Sequence, residues 1–314
     1  MKNKTLVQKD KHSQENLLQK TFNSILVGFL ICISYLPFWI LFGISDFIYV
    51  LLRYVVKYRR KVIFENLTHA FPEKSDKEIQ KITNKFYHYF CDLFIETIKG
   101  YSASEKLMNK HIAYNKVEQF NQYYNEGRSI IFLGMHYNNW EWGNFAATKC
   151  KHDIILLYNP MRGNQAFERF LKKIRTRWGA TIVPVNRSSR LVLSFGKTDK
   201  PAAIWLGADQ TPPPNSKFWT LFLNREAPFF LGPEKIAQFS NQPVFLQVTR
   251  RIKRGRYEFD FIPLFDKPKE VEANEIILTY IQKMEEIIRE EPAYYLWSHR
   301  RWKHERPEGI PLIL

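Results

Sequence analysis

Residues 129–143 read SIIFLGMHYNNWEWG. The first six form a short apolar run of the kind that makes a fully buried strand, and Gly134 ends it. A polar and aromatic stretch follows, and a helical pattern then runs from Trp140 to Thr148. The same texture recurs along the chain. Apolar runs stand at Ile154–Tyr158, Thr181–Val185, Ala202–Leu206, Val244–Val248 and Tyr257–Ile262. Helical patterns fall between several of them, at Gln165–Trp178, Pro233–Phe239 and Glu275–Ile288. Strands alternating with helices predict an α/β fold: a mixed, mostly buried sheet flanked by helices.

The strand at 129–134 runs into His136, and Glu141 follows five positions later at a helix start. Within one helix such a spacing points two side chains apart, but across a strand–helix junction the turn can bring them together. Ligand sites of α/β sheets lie at the carboxyl ends of strands, where helix N-termini also stabilise negative charge. A neutral histidine with one ring nitrogen held by a carboxylate can take a proton from a hydroxyl with the other. No Gly-x-Ser-x-Gly elbow occurs, so the reactive hydroxyl is expected on a substrate. A His-x4-Glu spacing alone is weak evidence, since such a pair is more often structural than catalytic.

Upstream, no charged residue lies between Lys20 and Asp46, and that run is long enough to cross a bilayer of ~30 Å as a helix. Lys2, Lys4, Lys9, Lys11 and Lys20 precede it, and Arg53, Lys57, Arg59, Arg60 and Lys61 follow. Basic flanks and aromatic residues at the ends favour a membrane segment. A buried core helix is the alternative, and Pro37 can kink the run or divide it in two. The expected organisation is an N-terminal arm and membrane-attached helical segment over 1–57, then an α/β domain over 58–314. Ser75 or Asp76 is placed to cap a long helix with apolar positions from Ile79 to Ile98.

The chain of 314 residues is 45% apolar and 25% charged, which excludes disorder. Its net charge of +16 implies an anionic partner. Residues 1–61 carry ten Lys/Arg against three acids, and the other +9 is spread over the rest. That spread suits an anionic membrane surface better than nucleic acid, which a basic module meets with one concentrated face. Cys32, Cys91 and Cys150 stand in no disulfide or zinc spacing, and no metal or cofactor is expected.

Several stretches together resemble the late acyltransferases of bacterial lipid A biosynthesis, within the lysophospholipid acyltransferase superfamily. Tyr58-Arg59-Arg60-Lys61-Val62 and Asn66-Leu67-Thr68-His69-Ala70-Phe71-Pro72 are similar to that family's leader. His136-x4-Glu141 matches the superfamily signature, Arg175-Thr176-Arg177-Trp178-Gly179 an Arg-rich helix end, and Ala208-Asp209-Gln210 a strand end. Gly232-Pro233 falls where the family starts a helix over the site, and Trp297-Ser298-His299-Arg300-Arg301-Trp302-Lys303 resembles its closing run. Two departures stand out: Asn159 replaces a usual arginine, with Arg162 near enough to substitute, and Asn224 replaces a common glycine.

The resemblance implies an enzyme at the cytoplasmic face of the inner membrane that takes an acyl chain from acyl carrier protein and passes it to a lipid acceptor. It makes His136 the general base and Glu141 its orienting partner, with Arg175, Asp209, Arg177 and Arg301 around the substrates. The charges interleaved with Trp297 and Trp302 suggest an exposed edge against anionic headgroups. An acyltransferase acting on a lysophospholipid or aminolipid is the alternative within the superfamily. A non-enzymatic basic membrane- or nucleic-acid-binding protein is the alternative outside it.

Overall fold

The computed structural model describes residues 15–161, 163–188 and 200–314. Lys2, Lys4, Lys9, Lys11 and Arg162, each given a role by the sequence reading, lie outside the described residues.

The apolar run is two helices. Helix α1 (Leu17–Ser34) opens with a capping box between Asn16 and Gln19. Helix α2 (Phe38–Val50) begins just after Pro37 and runs on through a π-type turn over Leu51–Val55. Proline cannot donate the backbone bond that a continuous helix needs, so the chain breaks here. The carbonyls freed at the break, on Ser34 and Leu36, each accept from the Lys99 ammonium at 2.9 Å. Both segments are long and apolar enough to cross a membrane, and only 11% and 17% of their span is buried. The core-helix alternative therefore does not hold. One side of the pair packs through Leu30 and Leu41 onto Ile95, Ile98, Phe170 and Ile174. Phe22, Ile25, Phe29, Trp39 and Phe47 remain exposed.

Helix α3 (Arg60–Ala70) carries the leader motif, and α4 (Asp76–Lys99) begins at the expected Ser75, in a capping box with Glu78. After α5 (Glu105–His111) the chain forms the mixed sheet, from β1 (Ile112–Tyr114), β2 (Ile130–Gly134), β3 (Asp153–Tyr158), β4 (Thr181–Pro184), β5 (Ala202–Gly207), β8 (Val244–Lys253) and β9 (Arg256–Phe265). The order is β1-β9-β8-β2-β5-β3-β4, parallel except for the β8–β9 hairpin. Every run read as a strand is one. Sequence reading caught only the inner half of the hairpin, because its outer half carries Arg250, Arg251 and Lys253 and is not buried like the rest. Helices α6 (Val117–Asn125), α7 (Gln165–Thr176), α8 (Gly232–Ser240) and α9 (Glu275–Glu290) flank the sheet. Residues 140–148, read as a helix, form a tighter 3₁₀ segment.

A small second sheet, β10-β6-β7, joins β6 (Trp219–Phe222), β7 (Arg225–Pro228) and β10 (Leu312–Ile313). Leu223 and Asn224 form the two-residue turn between β6 and β7, both with positive φ. Glycine suits such a position, and asparagine tolerates it better than most residues, which accounts for Asn224. The leader and closing motifs pack together. Asn66 Nδ2 donates to the carbonyls of Trp297 and His299 at 2.9 Å each, and Phe71 meets Trp297 edge-on.

Candidate active site

Register builds the site. Strands β2 and β5 are parallel neighbours, with Gly134 paired to Gly207. Two residues beyond that pair lie His136, after β2, and Asp209, after β5. The carboxylate of Asp209 accepts from the His136 backbone N–H at 2.9 Å and stands 2.7 Å from Nδ1. The glycines make room: a Cβ at Gly134 would lie 2.3 Å from the Trp205 ring, and one at Gly207 would be 3.1 Å from that ring.

The turn after His136 is held from several sides. Asn138 takes a left-handed backbone (φ 51°), its carbonyl accepts from the Tyr89 hydroxyl, and its amide donates to Thr249. The carbonyl of His136 accepts from Leu296 N–H. Asn139 caps the 3₁₀ segment, accepting from Trp142 N–H and donating to Glu96 at 2.7 Å. That segment carries Glu141 into the same cavity, where Arg175 of α7 grips both carboxylate oxygens at 3.0 and 2.5 Å.

The sequence reading has Glu141 orient His136. In the structure Asp209 holds the ring, and Glu141 forms its direct bonds with Arg175. The five-residue gap to Glu141 is filled by a turn and the 3₁₀ start, whereas sheet pairing sets Asp209 directly beside His136. Glu141 still acts through its charge. Burial works against the imidazolium, but the charge of Asp209, its hydrogen bond and the charge of Glu141 outweigh it and hold His136 above its usual pKa. Burial likewise works against both carboxylates, yet His136 keeps Asp209 low and Arg175 keeps Glu141 low. With Nδ1–H given to Asp209, Nε2 is left as the free acceptor, 3.2 Å from the amide nitrogen of Gln210. The edge of Trp140 closes one side of the ring.

These groups open onto a cavity of 530 Å³. Its polar end has His136, Glu141, Arg175 and Gln210, and its walls include Phe132, Ile154, Leu156, Trp205 and Ile236. Helix α8 begins at Gly232-Pro233, as expected, and both residues line the cavity. Two of the expected site residues sit elsewhere. Arg177 donates to the carbonyls of Gly100 and Tyr101 and lies over Trp178, so its guanidinium caps the end of α4. Arg301 is buried between Phe222 and Phe229 and donates to the Pro228 carbonyl. That corrects the exposed edge, of which only Arg300 and Lys303 are open to solvent. No group of three His, Cys, Asp or Glu side chains suited to a metal occurs among the described residues.

Sequence reasoning missed Gln210, the Asn139–Glu96 support and the link from His299. Burial pushes His299 down to about 4, so its neutral Nε2 accepts from Thr211 N–H at 3.2 Å beside the cavity. The motif residues around Gln210 and His299 were the available signal. Nothing local marked Glu96, 40 residues upstream of the histidine.

The chain matches the family described as bacterial lipid A biosynthesis acyltransferase over residues 8–304. It is 23% identical over 287 residues to the lipid A biosynthesis lauroyltransferase of Escherichia coli K12, covering 91% of this chain and 92% of that one. It is 22% identical over 276 residues to the palmitoleoyltransferase of the same organism, covering 87% and 88%. The lipid A biosynthesis acyltransferase of Shigella flexneri matches to the same extent. By a match that spans nearly its whole length, the chain belongs to the bacterial lipid A biosynthesis acyltransferase family.

Proposed function

We propose that this acyltransferase moves a fatty acyl chain from the thioester of acyl carrier protein to a hydroxyl of a lipid A precursor, with His136 as general base. The observation that carries the reading is the state of the ring. Asp209 takes Nδ1–H, while Nε2 faces a cavity with a polar end and apolar walls. The acceptor oxygen attacks the thioester carbon and its proton passes to Nε2, Gln210 yielding its place there. Collapse breaks the C–S bond, and the same proton leaves with the thiolate. A base so placed is typically worth ~10²–10⁴-fold. Arg175, fixed by Glu141, is placed to hold an anionic group of the acceptor or the developing oxyanion.

The exposed apolar faces of α1 and α2 suit attachment to the inner membrane, with the cavity on the cytoplasmic side. The full-length protein should then stay in the membrane pellet at high salt, since apolar burial is not screened.

The deciding experiment is mass spectrometry of lipid A and phospholipids from cells lacking the gene, complemented with wild type or His136→Ala. Lipid A short of one acyl chain, restored only by wild type, supports the proposal. A change confined to phospholipids would move the acceptor to a lysophospholipid, and unchanged lipids in both pools would refute acyl transfer to either.

A further inference from the structure

A second concavity, of 820 Å³, lies beside the catalytic cavity. A hydrogen bond links their linings. Thr211, in the wall of the first, donates its hydroxyl to the Arg301 carbonyl at 2.7 Å, and Arg300 and Lys303 line the second. Lys57, Arg60 and Lys61 line this crater from the start of α3 and just before it, and Arg225, Arg300 and Lys303 line it from β7 and the closing run. Arg59, a further lining cation, ties the start of α3 to the closing run by donating to the Ser298 carbonyl at 2.7 Å. Glu65 is the one carboxylate among the lining residues. It stands 3.7 Å from Lys61, and both side chains are exposed, so it offsets little of the charge.

Three features of this cluster are unfavourable without an anion. Like charges crowd one concave surface. Helix α3 starts at Arg60 with no side-chain cap and no acid in its first turn, so cations crowd the positive end of its dipole. Lys57 and Arg59 also hold left-handed backbone, at φ of 54° and 48°, a conformation costly for residues with side chains. An anion in the crater relieves the first two directly and gives the third a reason. The chain reaches the crater straight from the exposed apolar residues Tyr54, Val55 and Val56. Apolar and cationic surface are thus continuous, as a lipid with a phosphorylated headgroup requires.

We infer that the crater is a subsite for the phosphomonoester headgroup of a lipid, separate from the Arg175 end of the catalytic cavity. The inference rests on the membrane-facing role given above to residues 17–56. The phosphate belongs either to the acyl acceptor itself or to a neighbouring membrane phospholipid.

The test uses the full-length protein in neutral detergent, titrated calorimetrically with phosphatidic acid, against Arg60→Glu/Lys303→Glu and the milder Arg60→Gln/Lys303→Gln. Both positions are exposed, so the fold should tolerate the changes. The expected result is a Kd raised tenfold or more by reversal and less by neutralisation, with wild-type affinity weakening as salt rises. Equal affinity for all three proteins overturns the inference. Steady-state kinetics then separate the two sources. A higher acceptor KM, matched by wild type on a dephosphorylated acceptor, assigns the crater to the acceptor. Unchanged acceptor KM with lost phosphatidic acid binding assigns it to a membrane lipid. A raised carrier-protein KM with phosphatidic acid binding intact makes the crater a protein dock and overturns the inference. The binding titration needs no turnover, so it stands even if the acyl-transfer reading fails.

Discussion

Asp209 faces His136 with both carboxylate oxygens, one 2.9 Å from the backbone amide and one 2.7 Å from Nδ1. This double contact fixes ring position, tautomer and charge preference together. Replacing it with asparagine should therefore alter rate and pH dependence separately. Asp209→Asn is expected to lower kcat by ~10²–10⁴-fold, because an amide can select the wrong tautomer. In wild type the folded pKa lies above the usual ~6.5, so activity should rise with pH to a midpoint above that value. Asp209 is the largest influence raising it, so the residual activity of Asp209→Asn should have its midpoint at lower pH. A variant with the wild-type midpoint would show that His136 is not the titrating base.

The Glu141–Arg175 pair is partly buried, with side-chain exposures of 12% and 25%. Removing one partner strands the other charge, at a typical cost of about 3–5 kcal/mol, whereas removing both is often near neutral. Glu141→Ala should thus lower Tm markedly, and Glu141→Leu/Arg175→Met should recover most of it. Activity should not recover with the fold if the guanidinium serves substrate. Arg175→Lys keeps charge but not the two-pronged contact, so acceptor KM should rise about tenfold while the protein stays folded. A double variant with normal turnover would reduce the pair to a structural role.

The division between what sequence revealed and what it hid follows the range of each interaction. Apolar runs, the break at Pro37 and the cap at Ser75 are local, and each was legible. His136 and Glu141 were visible as a motif on one stretch of chain. The partnership of His136 with Asp209 depends on β2 pairing with β5 across 73 residues, which no local spacing encodes. Arg301 looked exposed because its neighbours are charged. Only the second sheet, which puts Phe222 and Phe229 around it, explains its burial.

Glu96 lies fully buried behind the turn that follows His136, accepting from Asn139 and Tyr257 at 2.7 Å each. Burial, reinforced by the charge of Asp92, pushes its carboxyl up to about 8. The unfolded value is ~4.3, so between the two the native state binds the extra proton and stability falls as pH rises. Glu96→Gln keeps the shape and removes the titration. Its Tm should vary less than wild type between pH 5 and 8 and exceed it at pH 8. Wild-type pH dependence in the variant would mean that Glu96 is ionised in the fold.

Trp205 sets the last prediction, on acyl chain length. Its indole lies against Gly134, where an added Cβ would be 2.3 Å away, and it forms part of the apolar wall beneath His136. Phe132 and Ile154 line the same cavity from neighbouring strands, so an acyl chain lying along these strands would run up against the ring. Trp205→Ala removes a large part of that wall while leaving Asp209, His136 and Arg175 untouched. The expected outcome is a shift in donor preference toward longer acyl chains, read as the ratio of kcat/KM across a series of acyl carrier protein thioesters. One methylene in an apolar pocket is worth ~1–3 kcal/mol, so a gain of two carbons should change that ratio by at least ~10-fold. Some stability should be lost to the cavity, as for any large-to-small change, and Trp205→Phe separates the two effects by opening less space. If both variants keep the wild-type ratio while losing stability, the indole packs the core and the chain runs elsewhere.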